Sequence, residues 1–254
     1  MLILLPPSEG KTSPTGSVPI ALHTLAFADD LTAKRERLVA ALEKLALRPE
    51  KKAIEAMGIT PGLAGDIQLN AEIMTNPAGP TSEVYTGVLY ERLGLGSMGK
   101  RGSGRAADHL LIASALWGML RPGDRIPYYR LSMKARLARV GGLGAYWRKP
   151  VEVAMRGSGF DEPEEIVLDM RSGPYQSVWK PKLAQLVAVR GFTETAGQRK
   201  VISHMAKSVR GDVARLVLNA PKMPTDVDGV ADVLSKAGLR VEPGNGTIDV
   251  IEAG

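Results

Sequence analysis

The chain has 254 residues, with 33 Lys and Arg against 27 Asp and Glu, a formal charge of +6. Hydrophobic residues make up 44%, charged residues 24%, and cysteine is absent. These values exclude a disordered, collagen-like or disulfide-stapled chain, and with them thiol catalysis and thiolate metal sites. No apolar run reaches the roughly 18 residues of a membrane span.

A length between one and two times about 150 residues, with no break in composition, points to one domain over residues 1–254. Residues 2–5 (LILL) form an apolar run stopped by Pro6-Pro7, which reads as a buried strand. The run is too short for a signal peptide, so the expectation is a cytoplasmic protein. Residues 6–19, rich in Pro, Gly and hydroxyls, read as a loop. Residues 29–47 place Leu31, Leu38, Leu42 and Leu45 at helical spacing behind Asp30, the expected N-cap. Pro49 to Met57 reads as a second helix, capped by Gly58.

Residues 94–105, with five glycines and three cations, predict a mobile basic loop, since Arg101-Gly-Ser-Gly104 is a poor helix start. Residues 109–120 are apolar throughout and so buried, and Pro122-Gly-Asp124 ends them with a turn. Residues 165–170, 185–190 and 200–205 read as strands, the last two pairing as a hairpin across Thr193–Gly197. Residues 206–218 read as a helix with Val209, Val213, Leu216 and Val217 on one side, and 226–237 as a shorter helix. Interleaved strands and helices predict an α/β to α+β fold, a mixed β-sheet wrapped by helices.

The phosphate motifs fail where their mechanism needs them. Gly94-x-Gly96-x-x-Gly99 lacks the preceding strand and the later acidic residue of a dinucleotide site. As a Walker A loop, Gly94 to Lys100 is followed by Arg101 where a hydroxyl should hold magnesium. His23, His109 and His204 share no metal-ligand spacing. No cofactor and no metal is therefore expected.

Residues 53–73 approach a helix-hairpin-helix, in which an apolar-Pro-Gly-apolar-Gly turn presents backbone N–H groups to a DNA phosphate. Gly58, Ile59, Pro61, Gly62 and Leu63 fit, but Ala64 stands at the second glycine and Gly65 comes one position late. With Lys51 and Lys52 nearby, the segment reads equally as a DNA element or as a plain helical corner. Other cations sit beside turn residues: Lys11, Arg121, Arg130, and Lys180 and Lys182 flanking Pro181. Lys207 and Arg210 stand i,i+3 on one helical face. Tyr85, Tyr129, Tyr175 and Trp179 occur in or near these segments. Gathered in one cleft, such groups bind an anion, whether duplex DNA or a small ligand. In an enzyme, Arg121 and Arg130 would clamp an anionic, nucleotide-like substrate and Asp124 or Tyr129 would handle protons. Lys11 or Lys207 would then stabilise charge or act as nucleophile.

MLILLPPSEGK at the start, Val84–Gly87, Ser114–Asp124 running on to Pro127–Met133, Tyr175–Pro181, and Ala206–Gly211 follow one another along the chain. Taken in that order, these segments resemble the YaaA family of peroxide-stress-resistance proteins. The resemblance implies a cytosolic bacterial protein with a mixed sheet and a basic cleft lined by Lys11, Arg121, Arg130, Lys180, Lys207 and Arg210. It also implies duplex DNA binding through a helix-hairpin-helix, and protection from peroxide linked to lowered free iron. Residues 94–105 depart from that pattern.

Overall fold

The computed structural model describes residues 1–195, 198–200 and 203–253. Strand β1 (Leu2–Leu5) precedes helices α1 (Ala28–Ala46), α2 (Glu50–Met57) and α3 (Gly65–Ala71). Strand β2 (Ala78–Pro80) and helices α4 (Thr81–Val84), α5 (Val88–Leu93) and α6 (Lys100–His109) lead to β3 (Leu110–Ser114) and β4 (Gly118–Leu120). Short strands β5 (Arg125–Pro127), β6 (Arg136–Leu137) and β7 (Gly141–Gly142) precede α7 (Leu143–Arg156), β8 (Ile166–Asp169) and α8 (Gly173–Gln176). Then come β9 (Gln185–Thr195), β10 (Gln198–Lys200), α9 (Ser203–Asn219), α10 (Val227–Lys236), β11 (Arg240–Gly244) and β12 (Thr247–Ala253).

Eight strands form one mixed sheet in the order β11-β12-β9-β8-β1-β3-β4, with β10 pairing β9. Strands β12, β9, β8, β1 and β3 run parallel, so their C-terminal ends share one edge of the sheet. β1 lies between β8 and β3, and Leu2 to Leu5 are fully buried. Burying each such side chain contributes roughly 1.5–3 kcal/mol, which fixes this strand in the centre. Among the described residues no helix is long and apolar enough to cross a membrane.

The α/β reading and most elements agree with the sequence, with three corrections. First, residues 94–105 are a loop only as far as Gly99, with a 3-10 turn over Leu95–Ser97: Lys100 to His109 form α6. Two glycines cost this helix about 1 kcal/mol each, but Gly102 is buried where a Cβ would lie 2.6 Å from the Asn219 side chain. The missing side chain lets α6 lie against α9, and Arg105 Nη1 donates to the carbonyls of Leu218 and Ala220 as α9 ends. Tertiary packing outweighs propensity here. Second, the N-cap of α1 is Phe27, in a left-handed conformation, while Asp29 and Asp30 sit in the first turn and favour the helix dipole. Third, among the described residues the hairpin partner of β9 covers Gln198–Lys200 and α9 begins at Ser203, so the expected strand over 200–205 does not extend through its last three residues; Val201 and Ile202 lie outside the described residues. Ala196 and Gly197 of the hairpin tip lie outside the described residues.

Helix α9 is held tightly from both sides. At Gly211 a Cβ would stand 2.3 Å from the Leu89 carbonyl oxygen and 2.7 Å from Arg92 Cβ of α5. Gly211→Ala should therefore destabilise the protein by about 1–3 kcal/mol, the usual cost of overpacking. A urea titration should show a lower midpoint at unchanged m value, and an unshifted midpoint would refute this account of the α5–α9 contact.

Candidate functional site

The ends of three neighbouring parallel strands carry the polar groups of interest. β3 ends at Ser114, β8 at Asp169, and β1 runs into Pro6 and the segment up to Lys11. Ligands in open α/β sheets gather beyond such ends. The segment is clasped by residues 84–86. Thr12 N–H donates to the Val84 carbonyl, Thr86 N–H to the Gly10 carbonyl, and Ser8 Oγ–H to the Thr86 carbonyl. Lys11 and Tyr85 form an isolated antiparallel bridge, which turns the lysine toward the tyrosine rings.

Lys11 Nζ donates to the Ser8 carbonyl at 2.8 Å and lies 4.6 Å from the Tyr129 ring centroid and 5.6 Å from that of Tyr85. Among the described residues no carboxylate bonds to it. Burial, then the nearby Arg130 guanidinium, push its ammonium down to about 7, against the opposing pull of Asp66 and Glu9. Beneath it runs a hydroxyl chain: Tyr85 Oη to Tyr129 Oη at 2.6 Å and Tyr129 Oη to Ser114 Oγ at 2.8 Å. Ser114 Oγ already accepts the N–H groups of Leu116 and Trp117. Its proton therefore goes to Tyr129, that of Tyr129 to Tyr85, and the Tyr85 O–H is the open donor of the chain. Burial pushes the Tyr129 hydroxyl up to about 12 and that of Tyr85 up as well, so both stay protonated.

Arg130 is fixed by four bonds. Its Nε meets Asp66 Oδ2 at 2.8 Å, Nη1 donates to the Glu9 carbonyl at 2.6 Å, Nη2 donates to Tyr128 Oη, and its backbone N–H donates to Asn70 Oδ1. At the β8 end Arg171 holds Asp169 with two bonds of 2.8 and 3.0 Å, both groups buried. Arg210 of α9 faces this spent carboxylate. Burial lowers its affinity for a proton, Asp169 opposes that, and its Nε is buried without a hydrogen-bond partner among the described residues. A half-buried guanidinium with such an orphaned N–H attracts an anion.

The sequence-predicted residues divide between several places. Lys11, Arg130 and Tyr129 meet, and Arg210 joins at the neighbouring strand end. Lys207 is exposed one turn earlier on α9. Arg121 and Asp124 lie elsewhere: β4 runs antiparallel to β3, so residues after Leu120 leave toward the N-terminal end of β3. There Arg121 Nη1 donates to the Ala107 carbonyl, and Asp124 Oδ2 accepts the N–H groups of Ala26 and Arg121. Their work is to brace a turn. Lys180 and Lys182 are exposed on a shallow groove with Arg148, and Lys182 pairs with Glu152 at 2.5 Å. Gly62, Leu63 and Gly65 belong to a helical corner made by α2, a 3-10 turn over Pro61–Leu63 and α3. Sequence reasoning missed Asp66 and Asn70, whose partner Arg130 lies in a distant segment, and also Asp169, although its partner Arg171 stands only two residues on.

A lysine that binds its proton more weakly folded than unfolded penalises the folded state when charged. The penalty is full below pH 7 and fades as pH rises from about 7 toward the unfolded value of 10.5. Lys11→Met should therefore raise stability over the parent at pH 6 more than at pH 10. A gain difference of about 1–3 kcal/mol is expected, less than the full shift because the side chain keeps some solvent. Equal gains at both pH values would contradict the depressed amine.

Comparison with known proteins bears on the whole chain. The family model described as "Peroxide stress protein YaaA" matches residues 1–243. A UPF0246 protein of Streptomyces coelicolor is 40% identical over 246 residues, 95% of this chain and 92% of its own length. A UPF0246 protein of Corynebacterium efficiens is 36% identical over 97% of this chain and 96% of its own. One of Idiomarina loihiensis is 33% identical over 60% of this chain and 61% of its own. With a family model spanning nearly all of it and relatives matched almost end to end, the chain belongs to the YaaA peroxide-stress family.

Proposed function

We propose that the protein serves the oxidative-stress role of its family as an enzyme acting on a small anionic, nucleotide-like substrate. The same reading expects it in the cytoplasm. The observation that carries it is Lys11: an amine near half-charge at neutral pH, held beside a fixed guanidinium beyond the C-terminal ends of parallel strands. A lysine kept mainly to bind phosphate works best fully charged. One tuned to about 7 suits proton transfer or nucleophilic attack. In this reading Arg130 and Arg210 hold the anion, and neutral Lys11 Nζ takes a proton from the substrate or adds to its carbonyl carbon. The open Tyr85 O–H donates to the oxygen on which charge develops.

Two measurements test this. Trinitrobenzenesulfonate labelling across pH 5–10, mapped by peptide mass spectrometry, should give Lys11 an apparent pKa about three units below that of exposed lysines. Titration above pH 9 would remove the basis of the reading. In cells, Lys11→Met and Lys11→Arg should both lose peroxide protection at normal protein levels. Rescue by Lys11→Arg would mean that charge alone suffices and would favour simple anion binding.

A second reading, duplex DNA binding at the α2–α3 corner, keeps one supporting observation: Lys51, Lys52, Gly62 and Gly65 are all exposed there. It predicts a steep linear fall of log K with log salt, and uniform weakening by Lys51→Glu/Lys52→Glu across DNA sequences. No duplex binding at 50 mM salt would dispose of it.

A further inference from the structure

A separate cavity lies elsewhere, a groove of about 760 Å³ between α1, α2 and the β6–β7 hairpin. It shares no lining residue with the Lys11 network. Six cations line it: Arg37 and Lys44 from α1, Arg48 just past its end, Lys52 from α2, and Arg136 and Arg139 from the hairpin. No Asp or Glu lines it, and none of the six forms an ion pair among the described residues. The other 27 Lys and Arg residues equal the 27 Asp and Glu residues in number. The whole formal charge of +6 is thus matched by the cations of this one groove.

The arrangement follows from the sequence of α1. Positions 37, 41 and 44 recur at i, i+4 and i+7, one stripe running roughly 10 Å along the helix at about 1.5 Å per residue, and Arg48 follows just beyond the helix end. Glu36 and Glu43 fall on other faces and do not line the groove. Like charges on one stripe repel, so folding alone gives no reason to gather them. Across the groove, Arg139 adopts φ of 62°, uncommon for a residue other than glycine. Its carbonyl accepts a 2.5 Å bond from Arg37 Nη2, which ties the hairpin to α1 and sets the groove width. The floor between the cations is aliphatic: Ala41, Leu45, Ala56, Leu137 and Val140. It offers no aromatic ring on which a base would stack.

We propose that this groove binds a small amphipathic anion, an aliphatic body carrying phosphate or carboxylate charge. The volume falls in the usual range of small-ligand sites, about 300–1,000 Å³. The cations take the charged head, and the aliphatic floor takes the chain. The absence of stacking surfaces disfavours single-stranded nucleic acid, and the concave shape suits a chain better than a flat surface.

Calorimetry on the full chain with dodecyl phosphate, kept below its micelle concentration, tests the proposal. Binding should weaken at least tenfold in Lys44→Glu/Arg48→Glu. It should be unchanged in Lys180→Glu/Lys182→Glu, which alters charge elsewhere. Inorganic tripolyphosphate, with charge and no chain, should bind at least tenfold more weakly than dodecyl phosphate. Ala56→Phe, which fills the floor, should weaken dodecyl phosphate and leave tripolyphosphate unaffected. Unaltered Lys11 labelling in the groove variants checks that they fold. Absence of dodecyl phosphate binding, or binding insensitive to Lys44→Glu/Arg48→Glu, overturns the proposal. Tripolyphosphate or a duplex oligonucleotide binding as tightly as dodecyl phosphate overturns it too, since charge alone would then explain the groove.

Discussion

The desolvated amine of Lys11 depends on a chain of constraints that begins with β1. A strand of four fully buried aliphatic residues can only sit inside the sheet, and β8 and β3 flank it. Pro6 and Pro7 then end the strand, because neither can donate to a ladder hydrogen bond. The following residues are turned back under residues 84–86, and Lys11 is delivered onto two tyrosine rings with one carbonyl bond, the charges of Arg130, Asp66 and Glu9 acting on it without bonding to it. Desolvated cation–π contacts are worth about 2 kcal/mol or more, yet here burial still outweighs them and the amine is held below a normal lysine. The result is an amine whose charge is conditional on what enters the site.

Arg35 shows what a purely structural buried cation looks like in the same molecule. It is fully buried on α1, and its Nε and Nη2 donate to the carbonyls of Trp117, Ala26 and Met119. Those bonds tie the helix to the β3–β4 turn and use most of the guanidinium. Its burial is answered by backbone oxygens whose own needs are met at the same time. Arg171 is similar, answered by Asp169 and the Trp179 carbonyl. One Arg35 nitrogen, Nη1, is nonetheless buried without a partner among the described residues, as Arg210 Nε is, so an orphaned guanidinium nitrogen alone does not mark a functional cation. What sets Lys11 apart is its place beyond the C-terminal end of β1, with a single carbonyl bond against the three that hold Arg35.

How legible the site was from sequence follows the range of the interactions. Local signals carried far: the LILL strand, the leucine spacing of α1, Gly58 as cap of α2, and the valines of α9 all lie close to where periodicity and caps put them. Signals failed where a distant partner overrides a local preference. Gly102 and Gly104 argue against a helix until α9 is known to need the space. Helix α7 escaped notice because Pro150 interrupts its pattern. Only part of the predicted cation set comes together, for the same reason. Lys11 and Arg130 sit 119 residues apart in sequence, yet both follow a strand end or a turn on the ligand side of the sheet. Arg121 looked equivalent, but the antiparallel β4 carries it to the opposite side, and strand direction cannot be read from a Pro-Gly-Asp turn.

The two anion-seeking regions obey different physics. In the groove the cations are exposed, so each is cheap to hold and weak singly, and its attraction falls as salt shortens the Debye length below about 10 Å. Selectivity there must come from the aliphatic floor. At Lys11 the charge is dear to hold and little screened, so one anion brought close restores the proton and changes the chemistry of the amine. A ligand that raises the affinity of Lys11 for its proton also takes a proton up from solution, whereas one seated among solvated groove cations mainly releases counterions. Proton uptake and salt dependence therefore tell which of the two regions any given anion has found, without knowing in advance what that anion is.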